Sequence, residues 1–240
     1  MPKSKFEEIY RSLKRKVERG DYPTGELMPS ENTLVGVYGC SRNTVRRAIA
    51  GLIEDGYVQA VHGKGVQVIY QKANRAVFTV GSIESFQETS QRNRLHSVTK
   101  VVVFERVTAD EAFSVESGFD PGTELWHVER VRVLDGKALI LDVNYLRRDQ
   151  MPGLTADIAT GSLYTYLEKE LGMQIVTSKR IITVERADNR DRELLDLDGY
   201  DCLAVVSSHT FNADGVMFEY TRSRHQPGYF SFQDTATRRR

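Results

Sequence analysis

The sequence predicts an α+β chain of two domains, an N-terminal winged helix-turn-helix and a C-terminal antiparallel sheet with helices packed on it. Three observations carry this expectation. Residues 30 to 65 hold two short helical patterns that meet at Gly39-Cys40-Ser41 and lead into a basic turn, His62-Gly63-Lys64-Gly65. From Val80 onward, helical periodicity gives way to six alternating segments of strand length. Charge divides in the same way: residues 1 to 75 carry 13 lysines and arginines against 8 aspartates and glutamates, a net +5, so the remainder carries −5 of a chain whose total is zero. A basic first third favours phosphate contact, and an acidic remainder suits sensing or dimerisation.

The first helix is expected from Ser4 to Arg19. Ser4 and Glu7 form a capping box, Phe6, Ile9, Tyr10, Leu13 and Val17 line one face, and Gly20 ends the run. Arg11, Lys14 and Arg15 on its other face read as solvated charge. Pro29 pins the approach to Ser30, which caps a second helix running through Leu34 and Val35 to Tyr38, where Gly39 stops it. Ser41 caps a third helix. There Val45, Ala48, Ile49 and Leu52 turn inward, leaving Arg42, Asn43 and Arg46 near the outward N-terminal end. Arg47 is open between a DNA contact and a solvated or intradomain ion-paired role. Residues 57 to 61 and 66 to 70 alternate as two strands of a wing, whose glycines allow close approach to a groove while His62 and Lys64 offer donors.

The polar stretch 71 to 79 reads as a linker, dividing a head of residues 1 to 70 from a second domain of residues 80 to 240. Strands are expected over 99–107, 125–133, 138–146, 178–186, 202–211 and 216–224, with helical stretches near 82–89, 109–113, 163–170 and 188–195. Asp135-Gly136 and Asp214-Gly215 both signal hairpins. No apolar run approaches the roughly 20 residues of a membrane span, and the first residues lack the apolar core of a signal peptide, so a cytoplasmic location is expected. Cys40 and Cys202 lie far apart and match no metal-ligand spacing, and neither metal nor cofactor is expected.

Arg130 and Arg132 fall two apart on a strand pattern and therefore share a face, which suits a phosphate clamp or, more blandly, a solvated strand. Gly161-Ser162-Leu163 opens a helical pattern, another seat for phosphate. Trp126, at a strand start, reads as core. His96, His127 and His209 have no partner that the sequence identifies.

Leu27-Met28-Pro29-Ser30-Glu31, Tyr38 through Ala48, Leu52 to Gly56 and Gly63-Lys64-Gly65 closely resemble the winged-helix head of the GntR family, and residues 80 to 234 resemble the effector domain of its HutC branch. Stretches 193–201 and 220–225 are most similar to the branch's trehalose-operon repressors. The resemblance implies a chorismate-lyase-like effector fold and a homodimeric repressor of a sugar-utilisation operon, released from operator DNA by a phosphosugar such as trehalose 6-phosphate. It implies DNA contacts by Ser41, Arg42, Thr44 and Arg46 and by the wing residues His62, Gly63 and Lys64. It also implies ligand contacts by Ser85, Arg130, Arg132, Asp142, Ser162, Tyr164, Glu219 and His225. Asn32 departs from the arginine common after Pro-Ser-Glu in the family. Two alternatives stand beside this reading: another effector, such as an amino-sugar phosphate or an organic acid, or a lyase-like enzyme domain. Against the enzyme, the sequence offers no nucleophile-base-orienter set and no phosphate-cradling glycine loop.

Overall fold

The computed structural model describes residues 5–71, 77–79, 83, 86, 90 and 96–233. Two compact units divide the chain, one holding the first 74 residues and the other all of residues 82–232.

In the head, α1 (Lys5–Arg19), α2 (Glu31–Tyr38) and α3 (Arg42–Glu54) precede β1 (Val58–Val61) and β2 (Gly65–Val68). The caps expected at Ser30 and Ser41 are formed, and Ser4, the expected cap of α1, lies outside the described residues. Thr33 N donates to Ser30 Oγ at 3.2 Å and Thr44 N to Ser41 Oγ at 3.2 Å. Gly39 adopts φ 56°, the left-handed geometry that lets α2 end and the chain turn sharply into α3. Ile9, Leu13 and Val17 of α1, Leu34 of α2 and Val45, Ala48, Ile49 and Leu52 of α3 close one core with Val58 and Val68 of the hairpin. Burying a leucine or isoleucine side chain contributes about 1.5–3 kcal/mol, so these eight helical positions hold the head together. Arg47 is exposed, and its guanidinium lies 4.2 Å from the Phe6 ring centroid, an intradomain contact.

The second unit is built on one six-stranded antiparallel sheet. In chain order its strands are β4 (Ser97–Thr108), β5 (Glu124–Leu134), β6 (Lys137–Arg147), β7 (Ile175–Arg186), β8 (Cys202–Asn212) and β9 (Met217–His225), and in space they run β4-β5-β6-β9-β8-β7. All six expected strands are present. A short pair, β3 (Val77–Thr79) with β10 (Ser231–Gln233), joins the end of the expected linker stretch to a distant part of the chain. Helices α4 (Glu111–Ser117), α5 (Ala156–Ala159), α6 (Leu163–Thr165, continuing as a π-helical turn through Tyr166–Glu170) and α7 (Asn189–Leu194) pack around the sheet. The helix expected over 82–89 falls largely outside the described residues.

Alternation along the strands gives the sheet two unlike faces. On one, Val131, Leu141, Leu203 and Val205 pack with Ala187 and Leu195 beside α7, and Leu125 and Tyr220 pack with Phe119 and Phe113 beside α4. A bidentate pair, Arg224 to Asp191 at 2.7 Å on each oxygen, ties α7 to the sheet. His127 belongs to this face, 2.9 Å from Glu105 Oε1 and stacked on Tyr145, and His209 lies tilted against Tyr220. On the other face, Met151, Leu154, Leu163, Tyr166 and Leu167 cover Val128 and Leu146, and Trp126 stacks on Phe104 at their margin. Beyond that apolar patch, the same face turns polar.

The two hairpin signals resolve differently. Asp135 (φ 48°) and Gly136 (φ 84°) are both left-handed, as a two-residue turn between β5 and β6 requires. In the second turn Gly215 alone takes a positive φ, and Asn212 organises the loop by accepting Asp214 N and Val216 N on its side-chain oxygen.

Candidate functional site

The head presents one outward surface at the start of α3 and another at the hairpin tip. Capping by Ser41 fixes the first turn of α3, so Arg42 and Arg46, one helical turn apart, project from the same exposed side. Both donate through Nε to Glu31 at the start of α2, Arg42 at 2.8 Å and Arg46 at 3.0 Å and 3.1 Å. Thr44 stands beside them, its hydroxyl 2.8 Å from Ser41 Oγ. His62, Gly63 and Lys64 occupy the exposed tip, where Gly63 takes φ 72°. Asn32 is exposed on α2.

The polar face of the sheet gathers the second group. Arg130 and Arg132 sit on β5 opposite Asp142 and Ile140 of β6, and Asp142 and Asn144 pair with Ser223 and Thr221 of β9. The register therefore brings residues some 80 positions apart into one row. Arg132 donates to Asp142 Oδ2 at 2.8 Å and to Thr99 Oγ1 at 2.6 Å, with its guanidinium 4.5 Å from the Phe86 ring centroid. The described hydrogen bonds of Arg130 go to a neutral oxygen, Asn144 Oδ1, at 3.0 and 3.1 Å, and its distance to Asp142 is 3.9 Å. Asn144 passes the network on, donating to Glu219 Oε1 at 3.1 Å and Thr221 Oγ1 at 2.8 Å. Tyr164, from α6, donates to the other Glu219 oxygen at 2.9 Å. Ser223 donates to Asp142 Oδ1 at 2.6 Å.

Both arginines are buried, as are Asp142, Asn144, Glu219 and His225. Burying guanidinium groups is costly unless charge and hydrogen bonds compensate it. For Arg132 the Asp142 pair does so. Arg130 is less well matched: burial first, then the adjacent Arg132, pulls its pKa below the ordinary guanidinium value. Burial works against charge on Asp142 too, but Arg132, Arg130 and the hydrogen bond from Ser223 outweigh it and hold its carboxyl below the usual range. Burial, then Glu219, raises the Tyr164 hydroxyl well above its ordinary value, keeping it a donor. Burial pushes His225 down to about 4, so it is neutral at pH 7, and its ring lies 4.8 Å from Phe230. Chemically, the face pairs an underneutralised guanidinium with carboxylates that accept hydrogen bonds from hydroxyls.

Of the expected ligand residues, the structure brings Arg130, Arg132, Asp142, Tyr164 and Glu219 into one network, and His225 lies on the same strand face. Ser162 caps the first turn of α6 by accepting Thr165 N at 3.2 Å. Ser85 lies outside the described residues. Thr99, Asn144, Thr221 and Ser223 belong to the network and were not anticipated. For Asn144 alone a signal was present, because Asp142 and Asn144 are the polar interruptions, two apart, in the apolar run Ala138-Leu139-Ile140-Leu141-Asp142-Val143-Asn144-Tyr145-Leu146. Among the described residues, no three His, Cys, Asp or Glu side chains gather to hold a metal, and no helix is long and apolar enough to cross a membrane.

A winged helix-turn-helix joined to an α+β domain with a buried polar face defines a class of DNA-binding transcription regulators that carry a ligand-binding domain. More particularly, the chain belongs to the GntR family, in the branch with a UTRA domain: the model for bacterial regulatory proteins of the gntR family matches residues 5–68 and the UTRA domain model matches residues 92–231. The HTH-type transcriptional regulator TreR of Bacillus subtilis is 37% identical over 99% of each chain. The solved effector-binding domain of the B. subtilis trehalose repressor, 38% identical, covers 60% of this chain and 99% of its own with a TM-score of 0.54. A transcriptional regulator from B. subtilis, YydK, shares the fold at 20% identity and a TM-score of 0.81 over 98% of this chain and 100% of its own.

Proposed function

We propose that the chain is a cytoplasmic homodimeric repressor of a trehalose-utilisation operon that releases its operator when trehalose 6-phosphate, or a close phosphosugar, occupies the polar face of the sheet. The buried row of Arg130, Arg132, Asp142, Asn144 and Glu219 carries this reading. The arginines take the phosphate, Arg130 foremost because its charge is least compensated. Asp142 and Glu219 meet sugar hydroxyls with His225 on the same strand face, while Tyr164, Ser162 and Ser85 join the arginines in the phosphate role. Likeness to the solved B. subtilis trehalose repressor domain supports the choice of sugar. The second domain acts as a sensor and not as a catalyst, in keeping with relatives that are transcription regulators.

The division of labour follows the domains: residues 1–70 bind DNA, 71–79 link, and 80–240 sense and dimerise. In the head, Arg42 is the principal base reader, taking guanine O6 and N7 in the major groove. Arg46, Ser41 and Thr44 make the remaining contacts of α3, while His62, Gly63 and Lys64 hold the adjacent groove and phosphates. Release by a ligand requires that the effector bind one arrangement of the dimer better than the other.

A thermal-shift panel of phosphosugars, amino-sugar phosphates and organic acids tests the ligand. A ligand at 100 times its dissociation constant adds about 2.7 kcal/mol of stability. Trehalose 6-phosphate is expected to give the largest shift and free trehalose almost none. A larger shift from an unphosphorylated acid would overturn the assignment.

A further inference from the structure

Glu31 stands apart from every DNA contact assigned above, yet it touches both arginines of α3. It is the first residue of α2, eleven positions before Arg42 and fifteen before Arg46, and the tight Gly39 turn swings it onto the exposed side of the recognition helix. One carboxylate oxygen accepts Arg42 Nε at 2.8 Å, and Arg46 Nε reaches both oxygens at 3.1 and 3.0 Å. The Arg42 and Arg46 side chains are 60% and 59% exposed while Glu31 is 29% exposed. Ion pairs so exposed contribute little to folding. Their effect must lie in how the arginines are presented.

Two features of the geometry bear on that presentation. Arginines one helical turn apart repel each other, and left alone each samples many rotamers. A shared carboxylate between them removes the repulsion and fixes both guanidinium planes at once. Because both arginines spend Nε on Glu31, their Nη1 and Nη2 ends remain as the forks that face outward, and an end-on fork is one that matches O6 and N7 of guanine. The trio also carries one net positive charge where two arginines alone would carry two. The Arg42 hydrogen bond lowers the Glu31 pKa, so the carboxylate stays charged at neutral pH.

We propose that Glu31 is the positioning residue of the reading helix: it holds Arg42 and Arg46 as a fixed pair with their forks outward, and by cancelling one of their charges it keeps the head from gripping phosphates of arbitrary sequence. The proposal rests on the assignment of α3 as the base-reading helix. It makes an unusual demand, since loss of Glu31 should weaken preference for the operator while strengthening binding to unrelated DNA. A merely structural side chain would weaken both.

Fluorescence anisotropy with the full chain tests this, using a duplex selected from random sequence by the wild-type protein and a scrambled control, across roughly 50 to 200 mM salt. Glu31→Ala and Glu31→Gln are expected to lower the ratio of operator to control affinity about tenfold, and to steepen the log-log salt dependence on the control duplex by about 0.9, the increment for one added phosphate contact. Glu31→Asp should restore the shallower slope. An unchanged ratio, or equal weakening on both duplexes with no change in slope, would overturn the proposal. Arg42→Ala is measured in parallel. If it abolishes the preference while the Glu31 variants leave it intact, the positioning role fails alone. Should Arg42→Ala keep the preference, the base-reading assignment itself falls.

Discussion

Replacing Arg130 and Arg132 in turn with methionine should separate the structural from the ligand-facing role of the two buried guanidinium groups. Arg132 is the closer partner of Asp142, and removing it leaves a buried carboxylate with Ser223 at 2.6 Å and Arg130 only at 3.9 Å. Losing one member of a buried pair costs about 3–5 kcal/mol. Arg130 is bonded to the neutral Asn144 oxygen, so its removal orphans an amide acceptor at a cost of about 1–3 kcal/mol. That cost is partly offset, because the repulsion between the two guanidinium groups disappears. Arg132→Met should therefore lower the urea midpoint of the second domain further than Arg130→Met. Ligand affinity should not follow that order. Each arginine supplies charge-assisted hydrogen bonds to phosphate worth about 1.5–3 kcal/mol, so both variants lose roughly 10- to 150-fold in phosphosugar affinity. Urea unfolding followed by circular dichroism, with and without trehalose 6-phosphate, reads both quantities. The reasoning is refuted if Arg130→Met is the more destabilised variant, or if either variant keeps the wild-type response to ligand.

Lys64→Ala at the wing tip should weaken binding to operator and control duplexes alike and flatten the salt dependence by about 0.9 per head, as loss of one phosphate contact does; a selective loss of operator preference would show that Lys64 reads bases. His225 is held down to about 4 from 6.5 in the folded state, so its contribution to stability is intact above pH 6.5 and is lost as pH falls toward 4. That difference corresponds to about 3 kcal/mol, and His225→Gln should flatten the acid limb of stability over this interval, whereas an unaltered limb would contradict its burial as a neutral ring. Leu52→Ala, at the centre of the head core, should cost about 2–5 kcal/mol and abolish DNA binding near the head's melting temperature without moving the ligand response. A matching loss of ligand response would show that the head's integrity governs the sensor.

The head was almost wholly legible because its determinants are local. Ser30, Gly39 and Ser41 act within four residues of themselves, and the apolar spacing of α1 and α3 maps directly onto the buried residues. The strands were legible for the same reason, since alternation is a property of neighbours. What escaped was set by pairing at a distance. The order β6-β9-β8 places Asp142 against Ser223 and Asn144 against Thr221, and nothing within β6 announces which strand will lie beside it. Hence Arg130, Arg132, Asp142 and Glu219 were nominated, while the uncharged Asn144 and Thr221 that join them were not. Glu31 escaped likewise, because its contact with α3 crosses the turn. Ser162 shows the converse limit: the helical stretch over 163–170 is visible in sequence, but not that it starts as three α-helical residues and continues as a π-helical turn. Asp214-Gly215 looked like Asp135-Gly136, yet the side chain of Asn212 rather than a pair of left-handed residues shapes that turn.

The claim at the centre of the account is that one chain couples a DNA-reading head to a phosphosugar seat, so that filling the seat empties the head. Titrating trehalose 6-phosphate into the preformed complex of the full chain with its selected operator duplex measures this coupling directly. Operator affinity is expected to fall 5- to 150-fold, the range of about 1–3 kcal/mol typical of linked sites, with free trehalose inert and the Arg130→Met variant unresponsive. Operator affinity that stays constant while trehalose 6-phosphate demonstrably binds, or that falls equally in Arg130→Met, would contradict it.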